Sequence, residues 1–598
     1  MTQTPALGRA ALRAMFAAPT AYAVDKVQPL EAALRRHVRP GMTIHLAYSE
    51  GRPMAASNAL VRCFAGTDPG FTILSSGLVS NQAAFVTEGL LKRIEVSFVG
   101  ENYPTPTPNR IFQDAINSGA VAIENQSLLA LYQRLAAGAF GFPFALSRSW
   151  IGSSLEKNAS FATVTDPFGS GETVAALKAL VPDVTIVHGL AADPQGNILL
   201  SPPFGEGEIA AFAARLGVIA TVERIVSPDV IRRYPYLAKI PAHRVLSVSE
   251  TPLGCHPYAI YDPVGLGIGA YVEDYDFFMA IRAASKSTES FKRWAAEWIL
   301  GVEDHEAYLR KLGADRVAGL RGRAAEEAWQ DDLDPAAIAQ ATRAEGPDAT
   351  ERMVAAAAQI LEQKVRDAGY GIVEAGVGYA NLAAWLAVSR LQIESGIPAE
   401  LVAEIGLYGY LPKPGEPFIF SNRNLPSCKS LTGVEAILGL HVGGRHNDCI
   451  GIIGSGQIDE AGNINSTYGA DGRFLVGSGG ANDIAAGARE VIAVTQQSKQ
   501  RLVATLPYVT SPGARISTLV TELGIYEKRS DRLVLTRYIG TDAEKAVAAA
   551  RDRCGWDLTV ADDLTPVADP SAAELTRLRL YDPRCDFLNP PSTQGKAS

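Results

Sequence analysis

The chain alternates between segments whose apolar residues have helical spacing and segments whose apolar residues form short runs. In the first half, helical spacing predicts helices at residues 30–37, 54–63, 126–137, 173–179 and 208–215. Apolar runs bounded by turn residues predict strands at residues 42–46, 71–74, 94–99, 184–187 and 218–222. This alternation indicates a parallel or mixed sheet covered by helices, so we expect an α/β fold.

The series that ends the first half occurs again in the second. In the first half, the turn with the pattern Asp-x-x-Gly-Asn occupies residues 193–197. The second half has a strand, the same turn, a helix and another strand at residues 449–453, 459–463, 484–489 and 491–494, with a further buried strand expected at residues 474–476. A repeat of this length indicates duplication rather than a solenoid. We therefore predict two similar open α/β domains, packed as a pseudo-dimer.

Composition suggests where the two domains meet. Residues 320–350 are rich in alanine and charged residues and carry little apolar content beyond Trp329, Leu333 and Ile338. Helical periodicity resumes at Met353. The expected domains are residues 1–320 and 351–598, joined by a partly helical linker at residues 321–350.

Charge and cysteine content exclude several classes of protein. The net charge of −9 comes from 64 acidic and 55 basic residues without a long block of one sign, which argues against nucleic acid as a partner. No apolar run approaches the 18 residues of a membrane span, so no membrane partner is expected. The six cysteines contain no Cys-x-x-Cys pair, which predicts a reducing cytoplasmic location and no metal site.

A glycine-rich loop in the second half is the first candidate for a binding site. Gly477, Ser478, Gly479 and Gly480 present up to four backbone amides with almost no side chain over them, so an oxyanion or phosphate could approach closely. The alternative is a tight turn that leads into the helix at residues 484–489.

Several segments resemble those of a known family. Residues 457–467, 477–482 and 508–513 look, in that order, like signatures of the β subunit of glutaconate CoA-transferase, a class I CoA-transferase. Residues 252–257 and 304–314 are similar to segments of the α subunit. The resemblance implies that α-like and β-like subunits are fused in one chain, and that both halves have the class I CoA-transferase fold.

The resemblance also implies the chemistry. These enzymes use a glutamate as nucleophile, which attacks an acyl-CoA to give a mixed anhydride and then a glutamyl-CoA thioester, from which a carboxylic acid takes the coenzyme A by ping-pong kinetics. Acyl-CoA and carboxylate small molecules are therefore the expected partners. Coenzyme A would act as a substrate, and no permanently bound cofactor is expected. A homodimer of the fused chain is a further expectation.

Two glutamates are candidates for the nucleophile. Glu404 follows a short apolar strand, the position where α/β proteins place reactive groups, and precedes Ile405 and Gly406. Glu394 reproduces the Glu-Ser-Gly triplet of the glutaconate enzyme, but it ends a helical run just before Pro398. We favour Glu404, and the alternative for it is a structural carboxylate that caps a helix or pairs with arginine.

The rest of the expected site comes from both halves. Amides of Gly477, Ser478, Gly479 and Gly480 would stabilise the oxyanion of the tetrahedral intermediates. The family often has a Gly-Gly-Phe segment after its first strand, where this chain has residues 47–50, so the acyl-substrate side is expected to differ. The residues expected to line that side of the pocket are Tyr48, Ser49, Ser76 and Gly77.

Other functions remain open at the level of sequence. Glu404 could act as a general base in an acyl-CoA hydrolase or a ring-cleaving hydrolase. Acyl transfer to another acceptor, such as an amine, and a non-catalytic CoA-binding protein are further alternatives. Arg423 and Arg445 could bind the second carboxylate of a dicarboxylic acid, although surface arginines are the simpler interpretation.

Overall fold

The computed structural model describes residues 8–20, 23–49 and 51–589. The α-helices are α1 (Arg9–Met15), α2 (Leu30–His37), α3 (Met54–Phe64), α4 (Ala84–Thr87), α5 (Arg110–Asn117), α6 (Leu128–Phe140), α7 (Gly207–Ala213), α8 (Pro228–Arg233), α9 (Tyr275–Ala284), α10 (Thr288–Ala295), α11 (His305–Leu312), α12 (Ala314–Gly322), α13 (Pro335–Ala341), α14 (Ala349–Ala368), α15 (Tyr379–Ser389), α16 (Ala481–Gly487), α17 (Ala543–Asp552) and α18 (Ala572–Tyr581). No helix in these described ranges is long and apolar enough to cross a membrane.

The strands follow in chain order. They are β1 (Thr43–Leu46), β2 (Phe71–Val79), β3 (Leu91–Gly100), β4 (Ala122–Asn125), β5 (Phe144–Ser147), β6 (Phe161–Thr165), β7 (Thr173–Lys178), β8 (Val184–Ala192), β9 (Ile198–Leu199), β10 (Gly217–Ile225), β11 (Ala238–Ile240), β12 (Val245–Glu250), β13 (Ile372–Ala375), β14 (Glu400–Ala403), β15 (Leu407–Tyr408), β16 (Ser430–Leu431), β17 (Cys449–Gly454), β18 (Gln457–Ile458), β19 (Ile464–Asn465), β20 (Glu490–Val494), β21 (Ile516–Val520), β22 (Gly524–Arg529), β23 (Arg532–Tyr538) and β24 (Val560–Pro566). Short 3₁₀ or π-helical segments are Ser80–Ala83, Ser154–Lys157, Ala242–Arg244, Ala296–Leu300, Ala328–Asp332, Arg390–Glu394, Asn422–Ser427, Glu435–Val442 and Gly513–Arg515.

The first half forms a mixed sheet whose centre is parallel. The strand order is β11-β9-β8-β1-β2-β3-β4, with β10 paired to β8 and β12 paired to β10. On β1, Ile44 lies opposite Ile73 of β2 on one side and Val184 of β8 on the other. All nine residues of β8 are buried, and its apolar residues form a near-continuous run. This pattern is typical of a strand covered on both faces.

The second half forms a separate mixed sheet with the order β16-β15-β14-β13-β17-β20-β21-β22-β23-β24. Its centre is also parallel, because Val373 of β13 lies opposite Leu401 of β14 and Ile450 of β17. Helix α14 begins with a capping box formed by Asp348 and Glu351, and its apolar face packs into the core of this half. The predicted α/β class is therefore confirmed, with a large mixed sheet in each half.

Two element predictions were wrong. Residues 173–179 were expected to be helical but form strand β7, in which Ala175 and Leu177 are buried while the alternate positions are more exposed, the period of two of a half-covered strand. Residues 474–476 were expected to be a strand, yet Phe474 makes only an isolated bridge with Tyr468. Its main chain bonds to both halves instead, because the Leu475 amide donates to the Thr467 carbonyl and the Val476 carbonyl accepts from the amide of Val99 in the first half.

The two halves share their cores. Phe418 and Phe474 of the second half belong to the main apolar cluster of the first half, and Leu128 and Leu129 of the first half belong to a cluster of the second. Backbone hydrogen bonds also cross the boundary, for example from the Leu128 amide to the Gly479 carbonyl at 3.1 Å. Each half would expose buried apolar surface without the other, as in obligate interfaces.

The segment between the halves is partly helical. Helix α12 ends at Gly322 and α14 begins at Ala349, with α13 and a 3₁₀ turn between them. The end of this segment is fastened by Arg579 of α18, whose guanidinium donates to the Arg343 carbonyl at 3.1 Å and to the buried Glu351 carboxylate at 2.7 Å. The domain boundaries at residues 320 and 351, which were inferred from composition, stay predictions.

Cleavage of the linker is expected to leave the halves associated. A protease site inserted between Ala325 and Glu326, both exposed, would sever the chain without touching the shared cores. After digestion, the fragments should elute as one complex with the enzymatic activity of the uncut chain, while residues 351–598 expressed alone should be insoluble or inactive. Separation of the fragments, or a soluble and active second half, would contradict the shared-core interface.

Candidate active site

Strand β14 places Glu404 at the wall of a cleft between the halves. The four residues of β14 are buried, and the chain turns immediately after them through a hydrogen bond from the Gly406 amide to the Ala403 carbonyl at 2.9 Å. Gly406 has a φ of +123°, and a Cβ there would lie 2.7 Å from the Thr432 carbonyl oxygen, so this turn requires glycine. Glu404 therefore lies at the carboxyl end of a strand in the parallel part of the sheet, as predicted.

The cleft encloses a cavity of about 700 Å³ that Glu404 lines. Residues of the first half that line it include Tyr48, Ser49, Ser76, Phe98 and Asn102. The second half contributes three glycine-containing segments, at residues 376–378, 454–456 and 477–480, together with Arg501. A cavity of this size is typical of a small-molecule site, and both halves are needed to form it.

The carboxylate of Glu404 lies in an environment that disfavours its charge. Desolvation by burial raises its pKa to about 7, and the negative charge of Asp483 contributes to the rise, whereas the backbone amide of Gly480 lowers it. On the neighbouring strand β13, burial raises the pKa of Glu374 well above its usual range, with a further contribution from the Glu404 charge. A pKa near neutrality is suited to a carboxylate that acts as nucleophile or base.

Gly480 lies directly against the Glu404 carboxylate. A Cβ added at Gly480 would overlap the Oε2 atom of Glu404, so only glycine permits the observed position of that oxygen. The loop thus brings a backbone amide to the Glu404 carboxylate at a position where any side chain on residue 480 would displace that carboxylate.

Asp483 connects the glycine loop to the first half. Its buried carboxylate accepts hydrogen bonds from the hydroxyls of Ser127 and Ser149, both at 2.6 Å, and from the backbone amide of Leu129 at 2.9 Å. The N-cap residue of α6, Ser127, makes no capping bond of its own, so Asp483 of the other half caps this helix. Burial raises the pKa of Asp483 to about 6, and the hydroxyls and amide lower it.

The expected supply of four free loop amides needs correction. The Gly477 amide donates to the Ser466 carbonyl at 3.3 Å and the Gly479 amide donates to the Ser97 carbonyl at 3.0 Å. The first bond lies within the second half and the second comes from the first half, and both hold the loop in place. Of the predicted donors, the Gly480 amide is the one that contacts Glu404.

The first-half wall contains three of its four predicted residues. Tyr48, Ser49 and Ser76 line the cavity, whereas Gly77 does not and instead faces the Tyr48 ring, whose Cε2 atom would be 2.6 Å from a Cβ at that position. Glu50, in the segment that departs from the family pattern, lies outside the described residues.

The Tyr48 ring is fixed from behind by Arg52. The Arg52 guanidinium lies 3.9 Å from the centroids of both the Tyr48 and Tyr258 rings, and its Nε donates to the Tyr48 carbonyl at 2.9 Å. Asn102 donates from Nδ2 to the Tyr48 hydroxyl at 3.4 Å. This wall therefore presents an aromatic ring and hydroxyl groups to the cavity, and the Arg52 guanidinium is covered by the Tyr48 and Tyr258 rings.

The other predicted residues lie away from the cavity. Glu394 is about half exposed and forms ion pairs with Arg577 at 2.8 Å and Arg390 at 3.6 Å. Arg423 and Arg445 are not among the cavity-lining residues, where Arg501 is the cation found in the described chain. The Arg501 Nη1 atom donates to the Ser455 carbonyl at 3.2 Å.

Sequence reasoning missed three parts of the site. It assigned no role to Asp483, to Asn102 or to the glycines at residues 376–378 and 454–456. The last two segments do carry a signal, because each includes or follows the carboxyl end of a buried parallel strand, β13 or β17. Within the described residues, no group of three or more His, Cys, Asp or Glu side chains could hold a metal ion.

Comparison with known proteins gives one family. The coenzyme A transferase family profile matches residues 27–294. The chain is 30% identical over 288 residues to the first subunit of 3-oxoadipate CoA-transferase from Pseudomonas knackmussii, an alignment that covers 47% of this chain and 96% of that protein. It is 32% identical over 171 residues to the second subunit of glutaconate CoA-transferase from Acidaminococcus fermentans, covering 25% of this chain and 62% of that protein.

A solved structure is similar along most of the chain. An acyl-CoA transferase from Escherichia coli O157:H7, YdiF, superposes with a TM-score of 0.62 at 14% identity, covering 92% of this chain and 96% of that one. At this identity the likeness bears on the fold, and it extends over both halves.

Substitution of Gly480 by alanine is expected to inactivate the site without unfolding the chain. The added methyl group would push the Glu404 carboxylate away, and a displacement of about 1 Å costs on the order of 10²-fold in rate. The control is Gly439→Ala, whose Cβ would make only ordinary contacts, 3.6 Å or more, outside the cavity. Steady-state kinetics and thermal melting would test this, and full activity of Gly480→Ala would contradict the close contact.

Substitution of Asp483 by asparagine is expected to shift the acid limb of the pH profile to lower pH. The ionised form of Glu404 is the reactive one, so wild-type kcat/KM should fall as the pH drops through about 7. Removing the Asp483 charge lowers the pKa of Glu404, so the variant should stay active at more acidic pH even if its maximum rate is reduced. Asp471→Asn, an exposed carboxylate outside the cavity, is the control, and an unchanged midpoint for Asp483→Asn would refute the coupling.

Proposed function

Because the chain belongs to the coenzyme A transferase family, we propose that it transfers coenzyme A from an acyl-CoA to a carboxylic acid through a covalent intermediate on Glu404. The observation that carries the assignment of Glu404 is its position at the end of β14, inside the cleft, against the Gly480 amide and with a raised pKa. Such a carboxylate is a stronger nucleophile than one free in water, and it still leaves readily from an anhydride.

The proposed reaction proceeds by exchange of acyl bonds. The Glu404 carboxylate attacks the thioester carbonyl, the carbon–sulfur bond breaks, and the mixed anhydride and the CoA thiolate are formed. The thiolate then attacks the Glu404 carbonyl of the anhydride, which releases the first carboxylate and leaves a glutamyl-CoA thioester. A second carboxylic acid reverses both steps, so no water is consumed and no oxidant or reductant is required.

The surroundings of Glu404 support this sequence. Each tetrahedral intermediate places a negative charge on oxygen, and a preorganised amide such as that of Gly480 is worth about 3 kcal/mol to such a charge. The bonds that hold the Gly477 and Gly479 amides fix the loop, so the Gly480 amide needs no rearrangement during the reaction. Burial and the charge of Asp483 raise the energy of the ionised Glu404, which favours its conversion to an uncharged ester-like form.

The cleft supplies room for both parts of the substrate. We propose that the acyl group contacts the wall formed by Tyr48, Ser49, Ser76 and Asn102, and that coenzyme A follows the glycine-containing segments of the second half, where side chains leave the backbone open. Coenzyme A is then a substrate and not a bound cofactor. A cytoplasmic location and the domains 1–320 and 351–598 are kept as parts of this proposal.

Trapping of the thioester tests the proposal. After incubation with acyl-CoA, borohydride or hydroxylamine should modify Glu404, which peptide mass spectrometry would locate. Glu404→Gln should lower kcat at least about 10³-fold. Glu394→Gln, the same chemical change at an exposed glutamate, should leave the rate nearly unchanged.

The acceptor is tested separately. In water labelled with oxygen-18, a transferase passes coenzyme A to an added carboxylate, whereas a hydrolase places the label in the free acid without transfer. An unmodified Glu404 together with hydrolysis would replace the covalent route with general base catalysis on water. Coenzyme A binding without turnover of any thioester would leave only a binding protein.

A further inference from the structure

The first-half wall of the cavity holds one hydroxyl group whose orientation is fixed, that of Tyr48. Tyr48 is partly exposed and lines the cavity, and its hydroxyl oxygen accepts a hydrogen bond from Asn102 Nδ2 at 3.4 Å. Ser49 and Ser76 line the same wall, but within the described chain their hydroxyl oxygens have no hydrogen-bond partner that would orient them. Because Asn102 donates to the oxygen of Tyr48, the proton of that hydroxyl remains for a donation to a ligand in the cavity.

Contacts on several sides hold Tyr48 in this position. The Arg52 guanidinium lies 3.9 Å from its ring centroid and donates to its carbonyl, and the Glu206 carboxylate accepts from its amide at 3.0 Å. At Gly77, a Cβ would come within 2.6 Å of the ring and 3.1 Å of the hydroxyl oxygen, so the ring fills the space that this glycine leaves. A donor held in this way needs no reorganisation when charge develops on a ligand.

The proposed reaction creates negative charge on two different oxygen atoms. When a thiolate or a carboxylate attacks the carbonyl of an acylated Glu404, the charge develops on an oxygen of Glu404 itself, which lies against the Gly480 amide. When Glu404 attacks the thioester, the charge develops instead on the carbonyl oxygen of the acyl group. That oxygen belongs to the substrate, so a donor from the wall that meets the acyl group would stabilise it.

We propose that the Tyr48 hydroxyl is a catalytic donor that stabilises the oxyanion on the acyl carbonyl, an inference that rests on the proposed function. As Glu404 forms its bond to the carbonyl carbon, the π electron pair moves onto the carbonyl oxygen, which accepts a hydrogen bond from Tyr48. The pair returns when the carbon–sulfur bond breaks and the thiolate leaves, and Tyr48 keeps its proton throughout. The Gly480 amide and the Tyr48 hydroxyl thus stabilise different intermediates.

The charges around Tyr48 are suited to this role. Burial raises the pKa of its hydroxyl, the Arg52 cation against the ring lowers it, and the Glu404 charge contributes to the rise. The effect of the Glu404 charge shows that the hydroxyl and the carboxylate lie within electrostatic reach of each other. The Arg52 cation strengthens the phenol as a donor, whereas burial keeps the phenol protonated near neutral pH. A neutral tyrosine hydroxyl in an apolar site is an established form of oxyanion donor in enzymes.

Tyr48→Phe tests the assignment because it removes the hydroxyl and keeps the ring on Arg52. With the donor and acceptor that give the wild-type chain its highest rate in a screen of short-chain acyl-CoA esters and carboxylates, kcat should fall about 10²-fold and KM should change much less. The control is Tyr410→Phe. Tyr410 is fully buried outside the cavity, and its hydroxyl oxygen also accepts one side-chain hydrogen bond, from Trp385 Nε1 at 2.9 Å, so its loss should leave kcat nearly unchanged.

A second readout separates catalysis from damage to the site. Hydroxylamine cleaves the isolated glutamyl-CoA thioester by attacking the Glu404 carbonyl, so the oxyanion of this reaction forms beside the Gly480 amide and not on an acyl group. The rate of this cleavage should therefore be the same in Tyr48→Phe as in the wild-type chain. An unchanged kcat in Tyr48→Phe, or an equal fall of kcat and of the hydroxylamine rate, would overturn the assignment.

Asn102 is expected to act through Tyr48 as a positioning residue. Asn102→Ala removes the bond that orients the hydroxyl and should lower kcat about tenfold in the wild-type chain. In Tyr48→Phe the same substitution should cost little more, because the hydroxyl is already absent. A loss in the double variant that equals the sum of the two single losses, expressed as free energies, would contradict this role.

The outcome is separable from that of the proposed transfer. If the wild-type chain hydrolyses the thioester and leaves Glu404 unmodified, coenzyme A transfer is refuted. Attack of water on the thioester creates the same acyl oxyanion, so Tyr48→Phe should still lower the hydrolysis rate about 10²-fold, and an unchanged rate would refute the role of Tyr48 as well. A wild-type chain that turns over no thioester would refute both inferences.

Discussion

Desolvation of one carboxylate, that of Glu404, is the constraint on which the arrangement of the cleft depends. Water stabilises a carboxylate strongly, and a protein that removes this water must supply hydrogen bonds or accept a raised pKa. Here the protein supplies the Gly480 amide and places Asp483 close enough to oppose the charge. The pKa of about 7 is the balance of these effects, and it keeps the group reactive near neutral pH.

This balance can be maintained only if the glycine loop does not move, and the first half holds it. The Gly479 amide and carbonyl bond to the main chain of Ser97 and Leu128, and Asp483 bonds to Ser127, Ser149 and Leu129. The second half therefore carries the reactive group, while the first half fixes the backbone that surrounds it. Both the shared cores and the site need one copy of each half. Fusion of the halves in one chain provides them in that ratio.

Much of this was predictable from sequence, and the exceptions have a common cause. Periodicity and turn residues predicted the α/β class and the strand that ends before Glu404, because those signals are local. Strand β7 was read as a helix since its six residues are too few to separate a period of two from one of 3.6. The role of Asp483 could not be read locally, because its partners lie more than 330 positions away in the chain. The same holds for Gly77, which sequence placed in the pocket and which the Tyr48 ring covers.

The division of roles between the halves bears on how such a cleft can change its substrate. In the proposed mechanism, the steps at Glu404 involve only the thioester or anhydride carbonyl, and they depend on Gly480 and the loop behind it. The acyl group instead is proposed to meet Tyr48, Ser49 and Ser76, of which Tyr48 and Ser49 lie in the segment that departs from the family pattern. Tyr48 is held by Arg52 and Asn102 of the first half, and it makes no bond to the loop that positions Glu404. Substitutions in this wall can therefore alter the acyl groups that fit while the nucleophile and its amide stay in place.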